Sequence, residues 1–243
     1  MTRRLRTGLF LAGGAGLSAL LAWGFAGLPA FGDYHGVYGR LLNRDALGQT
    51  HAMSAIAAVT FDYRGFDTMG EDFILFASVL GVALLLRQVR ERDVDASQSV
   101  ETSDPVRAVG VIAVPAFFLL GLFVIAHGYL TPGGGFQGGV VVAIAIVLLS
   151  IAVDYGSYAA LVRKPLADLV DGLGAGAYVA VGVGGLLAGG AFLESFVSRG
   201  KIGELTSSGT IALLSWASGL EVAGATLLLA SEFLEELLAR RQR

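Results

Sequence analysis

The stretch Thr131-Pro132-Gly133-Gly134-Gly135-Phe136-Gln137-Gly138-Gly139 separates two long apolar segments. Proline fixes φ and lacks an amide proton, and glycine admits conformations closed to other residues, so no continuous helix runs through the block. Two interpretations follow. The block is a tight turn between membrane helices, or its small residues let a backbone or an ion approach while Gln137 offers an amide. A phosphate-binding loop is disfavoured because no strand precedes the block and no Gly-Lys-Ser/Thr follows it.

Composition places most of the chain in lipid. Of its 243 residues, 54% are apolar and only 15% are charged, against about 25% charged residues in soluble domains. A net charge of -3 without a basic stripe disfavours nucleic acid as a partner. The chain has no cysteine, and its three histidines, His35, His51 and His127, are far apart. We therefore expect no disulfide, metal or other cofactor in this chain, and no enzymatic activity.

Six apolar blocks predict membrane helices, each close to the roughly 20 residues that a crossing requires. They cover residues 8–28, 73–86, 106–130, 136–153, 172–193 and 210–234. The first follows three arginines, is longer than the apolar core of a signal peptide and lacks an Ala-x-Ala site, so it is interpreted as a retained anchor. A seventh segment, residues 51–61, is too short to span comfortably.

The distribution of basic residues decides whether the short segment crosses. With six crossings and a cytoplasmic N-terminus, twelve of the 17 Lys and Arg residues lie inside. With seven crossings, only six do. The positive-inside rule favours six, with residues 46–61 re-entrant or lateral and residues 131–139 outside. The prediction is an all-α polytopic membrane protein with about six transmembrane helices and one re-entrant or lateral segment that another part of the protein covers.

One hydrophilic stretch interrupts the chain. Residues 87–105 carry charges of both signs and serines without apolar periodicity, which is typical of a linker. We predict a two-span unit over residues 1–90, a cytoplasmic linker over 91–104 and a four-span domain over 105–243. No repeat of 20–50 residues and no inverted repeat is visible.

Two polar residues stand in or beside the predicted spans. Glu221 lies near the middle of the last one, where a carboxylate costs about 2.5–3.5 kcal/mol on insertion scales. It must face a partner, water or another subunit, either on an ion route or as a hydrogen-bond anchor. His127 directly precedes the glycine block and either carries protons or caps the last carbonyls of its helix.

A charge cluster fills residues 61–72, Phe-Asp-Tyr-Arg-Gly-Phe-Asp-Thr-Met-Gly-Glu-Asp. Asp62, Arg64 and Asp67 predict an ionic network at the membrane boundary. Glu71 and Asp72 suit the positive end of a helix dipole, but Glu71 also opens a wholly apolar span. At that boundary it can bind a proton or a monovalent cation.

The C-terminal part resembles the MnhB family, the B-type component of the Mrp-type multisubunit cation/proton antiporters. The resemblance rests on Ser-Asp-Pro-Val-Arg at 103–107, on the block from His127 to Gly139, and on Gly-Leu-Glu-Val at 219–222. It covers residues from about 104 to the C-terminus.

The first hundred residues resemble the C-terminal segment of the large A-type component of these antiporters, or the separate E-type component of membrane-bound hydrogenases. Leu-Pro-Ala-Phe-Gly-Asp at 28–33 and the stretch 61–71 carry this resemblance. In that pattern an asparagine usually stands near the position of His51, so the role of His51 is open.

The resemblance implies a small subunit of a bacterial inner-membrane complex that exchanges Na⁺ or another monovalent cation for protons. Its implied partners are the large antiporter-like A-type and D-type components, small membrane subunits and the lipid bilayer. The chain then either contributes to the ion path or serves as a scaffold. Membership of a hydrogenase-type complex related to complex I is the further alternative.

Overall fold

The computed structural model describes residues 3–28, 36–86 and 102–241, and every regular element within these ranges is helical. The chain forms two compact units, Met1–Arg40 and Leu41–Arg243. The first contains α1 (Arg3–Ala26), whose arginines all lie at its N-terminal end. The predicted linker lies mostly outside the described residues, as does most of the 28–33 motif. The predicted domain boundaries therefore stay a prediction.

Within the described residues, nine further elements follow α1. They are α2 (Val37–Thr50), α3 (Ala55–Ala58), a π-helix (Val59–Tyr63), α4 (Gly65–Leu85), α5 (Asp104–His127), α6 (Gly135–Ala152), α7 (Tyr155–Leu161), α8 (Lys164–Leu187) and α9 (Thr210–Arg241). Among the described residues, six helices are long and apolar enough to cross a membrane: α1, α4, α5, α6, α8 and most of α9. The predicted all-α membrane fold with six spans is confirmed.

Two of these helices begin about two turns, eight residues, before the predicted block. Helix α4 starts at Gly65 and α8 at Lys164, whereas the apolar blocks begin at residues 73 and 172. Asp67 in the first turn of α4 suits the helix dipole, and a proline in the first turn of α8 is in its favoured helical position. The extra turns bring several carboxylates into the membrane helices.

Helix α9 is the centre of the second unit. It packs against α4, α5, α6, α8 and the π-helix. In its most apolar stretch 72% of the residues are buried, compared with 39% in α6 and fewer in the other spans. Polar side chains on α9 therefore face protein rather than lipid.

The glycine block combines a turn with a packing surface. Gly133 and Gly134 have φ values of 143° and 155°, which favour glycine. Gly135 and Gly138 belong to α6, where a Cβ atom would lie 2.1 Å from the Ser215 carbonyl oxygen and 2.7 Å from the Gly121 oxygen, respectively. The block lets the start of α6 pack backbone to backbone between α5 and α9.

The segment predicted to be re-entrant or lateral is a broken helix. His51 has a φ of 57°, and the Ser54 amide donates to the Tyr129 carbonyl oxygen at 3.0 Å. The Nδ1–H of His51 donates to the Gly200 oxygen at 2.7 Å, and the Ser208 hydroxyl donates to the His51 oxygen at 3.1 Å. The turn after α5 and the loop before α9 thus satisfy its backbone, as buried non-helical chain requires.

Candidate functional site

Glu221 lies within α9 and is fully buried. Among the described residues, no N–H or hydroxyl group donates to either of its carboxylate oxygens, and the carboxyl of Asp72 interacts with them. An unpaired buried charge is strongly unfavourable. This position therefore suits a group that holds a proton or faces a cation.

Two further carboxylates are buried on neighbouring helices. Asp72 of α4 is 1% exposed and Asp171 of α8 is 3% exposed. The Ser218 hydroxyl donates to Asp72 Oδ1 at 3.0 Å, whereas Asp72 Oδ2 and Asp171 Oδ1 have no partner among the described residues. Both carboxylates interact electrostatically with Glu221. We call Asp72, Asp171 and Glu221 the buried carboxylate cluster.

Reciprocal glycine contacts bring two members of the cluster together. A Cβ atom on Gly174 of α8 would lie 2.6 Å from the Cα of Glu221, and one on Gly224 of α9 would lie 2.9 Å from the Cα of Asp171. Each helix thus places a glycine three residues after its acid, against the acid of the other helix. Small residues at such crossings let membrane helices approach closely.

A pocket with several polar residues in its lining adjoins one end of the cluster. It has a volume of about 220 Å³, and its lining includes Thr68, Glu71, Gln137 and Ser218. We call it the Glu71 pocket. Glu71 itself is exposed. Because Ser218 lines the pocket and also bonds to Asp72, it links the pocket to the cluster.

A second pocket adjoins the other end. It has a volume of about 300 Å³, and Asp168, Asp171 and Glu232 line it together with apolar residues of α4 and α9. We call it the Glu232 pocket. Lys164 Nζ contacts Glu232 Oε1 at 2.9 Å and Glu235 Oε2 at 2.7 Å. At 1.5 Å per residue, Ser218 and Glu232 lie about 21 Å apart along α9, so the two pockets and the cluster cover much of a membrane's apolar thickness.

The predicted ionic network lies in a different place. Asp62, Arg64 and Asp67 line an open cleft of about 820 Å³ together with Glu194 and Arg199. Arg64 Nε and Asp67 Oδ2 are 2.5 Å apart at the exposed rim. Burial raises the pKa of Asp62, and nearby Arg199 partly opposes that shift. The charged residues of the stretch 61–72 are thus divided between this cleft, the Glu71 pocket and, for Asp72, the buried carboxylate cluster.

His127 lies apart from the carboxylates, at the end of α5. Its Nδ1–H donates to the Phe123 carbonyl oxygen at 3.2 Å. Its ring stacks on the Phe123 ring at a centroid distance of 4.1 Å. These contacts hold the imidazole against the last turns of its own helix.

Sequence reasoning missed Asp171 and treated Asp72 only as a helix-capping residue. The two predicted spans begin directly after these acids, at residues 73 and 172, so both acids fell just outside the predicted helices. A usable signal was present in the matched spacing of Asp171 with Gly174 and of Glu221 with Gly224. Small residues on a membrane helix let a neighbouring helix approach closely, so a glycine at the same distance from an acid on two helices indicates where these helices could cross.

Comparison with known proteins identifies a family whose model matches this chain. A family model described as a domain related to the MnhB subunit of Na⁺/H⁺ antiporter matches residues 105–228. An uncharacterized protein of Methanocaldococcus jannaschii is 32% identical over 190 residues, which is 69% of this chain and 71% of the relative.

Two solved complexes contain similar chains. One is the membrane-bound sulfane sulfur reductase, described as an archaeal respiratory membrane complex. Its chain matches with a TM-score of 0.71 and 30% identity over 95% of this chain and 98% of that chain. The other is the Mrp complex from Dietzia sp. DQ12-45-1b, whose chain matches with a TM-score of 0.66 and 25% identity over 96% of this chain but 26% of that chain.

Proposed function

Because this chain belongs to the family of domains related to the MnhB subunit of Na⁺/H⁺ antiporters, we propose that it is a membrane subunit of a multisubunit antiporter. That antiporter exchanges Na⁺ or another monovalent cation for protons. Large antiporter-like subunits and small membrane subunits are its partners, and the chain itself is not an enzyme. The proposed location is the cell membrane of a bacterium, as a multi-pass protein.

The buried carboxylate cluster is the observation that supports an active part of this chain in transport. Three acids from three helices converge where burial penalises their charge, and several of their oxygens have no partner among the described residues. Intramembrane acids of this kind typically mark ion or proton routes. A scaffold needs only the glycine contacts and gains nothing from three buried carboxylates.

The proposed route has a definite order. It runs from the Glu71 pocket through Ser218 and Asp72 to Glu221, and from there through Asp171 to the Glu232 pocket. Neighbouring subunits complete it, because the sequence shows no inverted repeat and the part of the chain that the structure describes contains no pair of broken helices of the kind that self-contained transporters use. The candidates Asp62, Arg64 and Asp67 from the charge cluster then serve the approach to the membrane rather than the crossing.

Replacing Glu221 by Gln tests this function. Glutamine keeps the size of the side chain but cannot exchange a proton. Cation-dependent proton movement in inverted vesicles should fall to the level of vesicles without the complex, while native gel electrophoresis shows an assembled complex. The control is Glu204→Gln in the exposed loop before α9. Full exchange by an assembled Glu221→Gln complex would favour the scaffold.

A second candidate function comes from the reductase match, which covers almost the whole of both chains. On this alternative the chain is a membrane-arm subunit of a complex-I-like redox assembly, such as a membrane-bound hydrogenase. Purification through a tag on this chain separates the two. Co-purifying subunits with iron–sulfur or nickel–iron centres favour the redox assembly, and membrane subunits alone favour the antiporter.

A further inference from the structure

An apolar groove of about 580 Å³ opens between α5, α8 and α9. Pro115 and Phe118 of α5 form one wall, Leu166 and Val170 of α8 form the other, and Leu227 of α9 contributes to the floor. Pro115 cannot donate a backbone hydrogen bond, and α5 packs mainly against α6. None of the three acids of the buried carboxylate cluster lines the groove, so it is not part of the proposed route.

The one charged residue that lines this groove is Arg163. It is exposed and has no ion-pair partner among the described side chains. It also occupies the N-cap position of α8, where no side chain caps the first amides. The adjacent Lys164 is already paired with two glutamates. Arg163 therefore stands at the mouth of the apolar groove with no compensating anion among the described side chains.

Its location determines what kind of molecule fits. The predicted orientation places Arg163 at the cytoplasmic surface, and Val170 lies about 10 Å deeper along α8. A ligand with an anionic head at that surface and an apolar tail pointing into the membrane matches this arrangement. Basic pockets between membrane helices on the cytoplasmic side are known to hold phospholipid head groups.

We propose that this groove binds one acyl chain of an anionic phospholipid, whose phosphate contacts Arg163. Gly224 also lines the groove and lies against the backbone of Asp171. The bound chain therefore supports the crossing of α8 and α9 from the lipid side. The proposal depends on the membrane setting and not on which ion the complex carries.

Photoactivatable lipids test the site on the detergent-purified complex. Phosphatidylglycerol and phosphatidylcholine with the same diazirine-bearing acyl chain are added in parallel, and adducts are mapped by peptide mass spectrometry. The groove peptides around Pro115 and Leu166 should carry about fivefold more adduct from phosphatidylglycerol, the ratio that about 1 kcal/mol for one basic residue near a membrane surface gives.

Matched variants separate the head-group contact from the tail contact. Arg163→Gln should abolish the preference for phosphatidylglycerol, whereas Arg107→Gln, on α5 but outside the groove, should keep it. Val170→Phe should reduce adducts from both lipids, whereas Val183→Phe on the same helix should not. Equal labelling by both lipids, or cross-linking of a photoreactive group at Leu166 to another subunit instead of lipid, would overturn the proposal.

Discussion

The Ser218 hydroxyl of α9 donates a 3.0 Å hydrogen bond to Asp72 Oδ1 of α4. Both side chains are almost fully buried. Ser218 also lines the Glu71 pocket, so this single bond joins an accessible polar space to the buried carboxylate cluster. A hydrogen bond to an ionised carboxylate is stronger than a hydrogen bond between two neutral groups.

Ser218→Ala should slow cation/proton exchange, because Asp72 loses its donor and the polar contact with the pocket ends there. Ser215→Ala is the matched control. Ser215 is on α9, as Ser218 is, but its hydroxyl donates at 2.9 Å to the Ile125 carbonyl oxygen of α5 and does not line the Glu71 pocket. Each change should lower stability by about 0.5–3 kcal/mol. Equal exchange rates in the two variants would exclude a specific role for Ser218.

Asp72→Asn and Glu71→Gln should differ in kind. Asp72 is buried beside Glu221, where no water molecule can take over the role of its carboxylate. The Asp72→Asn variant should therefore lose exchange. Glu71 is exposed in its pocket, so Glu71→Gln should lower exchange mainly by raising the cation concentration needed for half-maximal activity. Cation titrations in inverted vesicles at several pH values measure both effects. If Glu71→Gln leaves that concentration unchanged, the Glu71 pocket does not bind the cation.

The six spans could be predicted from the sequence because a helix in lipid needs about 20 apolar residues, and hydropathy detects such runs directly. The burial of Asp72 and Asp171 could not, because both acids lie directly at the edge of an apolar run, where hydropathy places the boundary of the span. Whether an acid at the edge of a span faces water or protein depends on how the helices cross. Here the crossing depends on Gly174 and Gly224, which are far apart in the chain.

The broken helix over residues 46–61 is likewise predictable from the sequence only in part. Its failure to span follows from its length and from the basic-residue count. The bonds that hold it, from Ser54 to Tyr129 and from His51 to Gly200, join distant residues through backbone carbonyls. Carbonyls occur at every position, so no sequence pattern identifies such partners.

Gly174→Ala should destabilise the protein, whereas Gly172→Ala should not. A Cβ atom at Gly174 would lie 2.3 Å from the Glu221 backbone nitrogen, but one at Gly172 meets nothing within 4 Å. Overpacking of this kind costs about 1–3 kcal/mol, and alanine at Gly172 favours the helix. Thermal unfolding of the purified complex in detergent compares the two, and equal midpoints would contradict the close crossing of α8 and α9.

Lys164→Met should be more damaging than its position near the membrane surface suggests. Lys164 is 15% exposed and its partner Glu232 only 5%. Removing one member of a buried ion pair costs about 3–5 kcal/mol, because the remaining charge is left uncompensated. Lys164→Met combined with Glu232→Gln should recover part of the lost thermal stability. No recovery in the double variant would mean that the pair does not contribute through its charge.

The orientation of the bundle can be read by cysteine labelling, because the native chain contains no cysteine. Ala160 of α7 lies between α6 and α8, and Ser198 lies between α8 and α9, so the two positions are on opposite sides of the membrane. With twelve of the 17 basic residues inside, the positive-inside rule places Ala160 in the cytoplasm. An impermeant maleimide added to whole cells should therefore label Ser198→Cys and not Ala160→Cys, and inverted vesicles should show the reverse. The opposite pattern would turn the route around, with the Glu232 pocket facing outward and Arg163 at the outer surface.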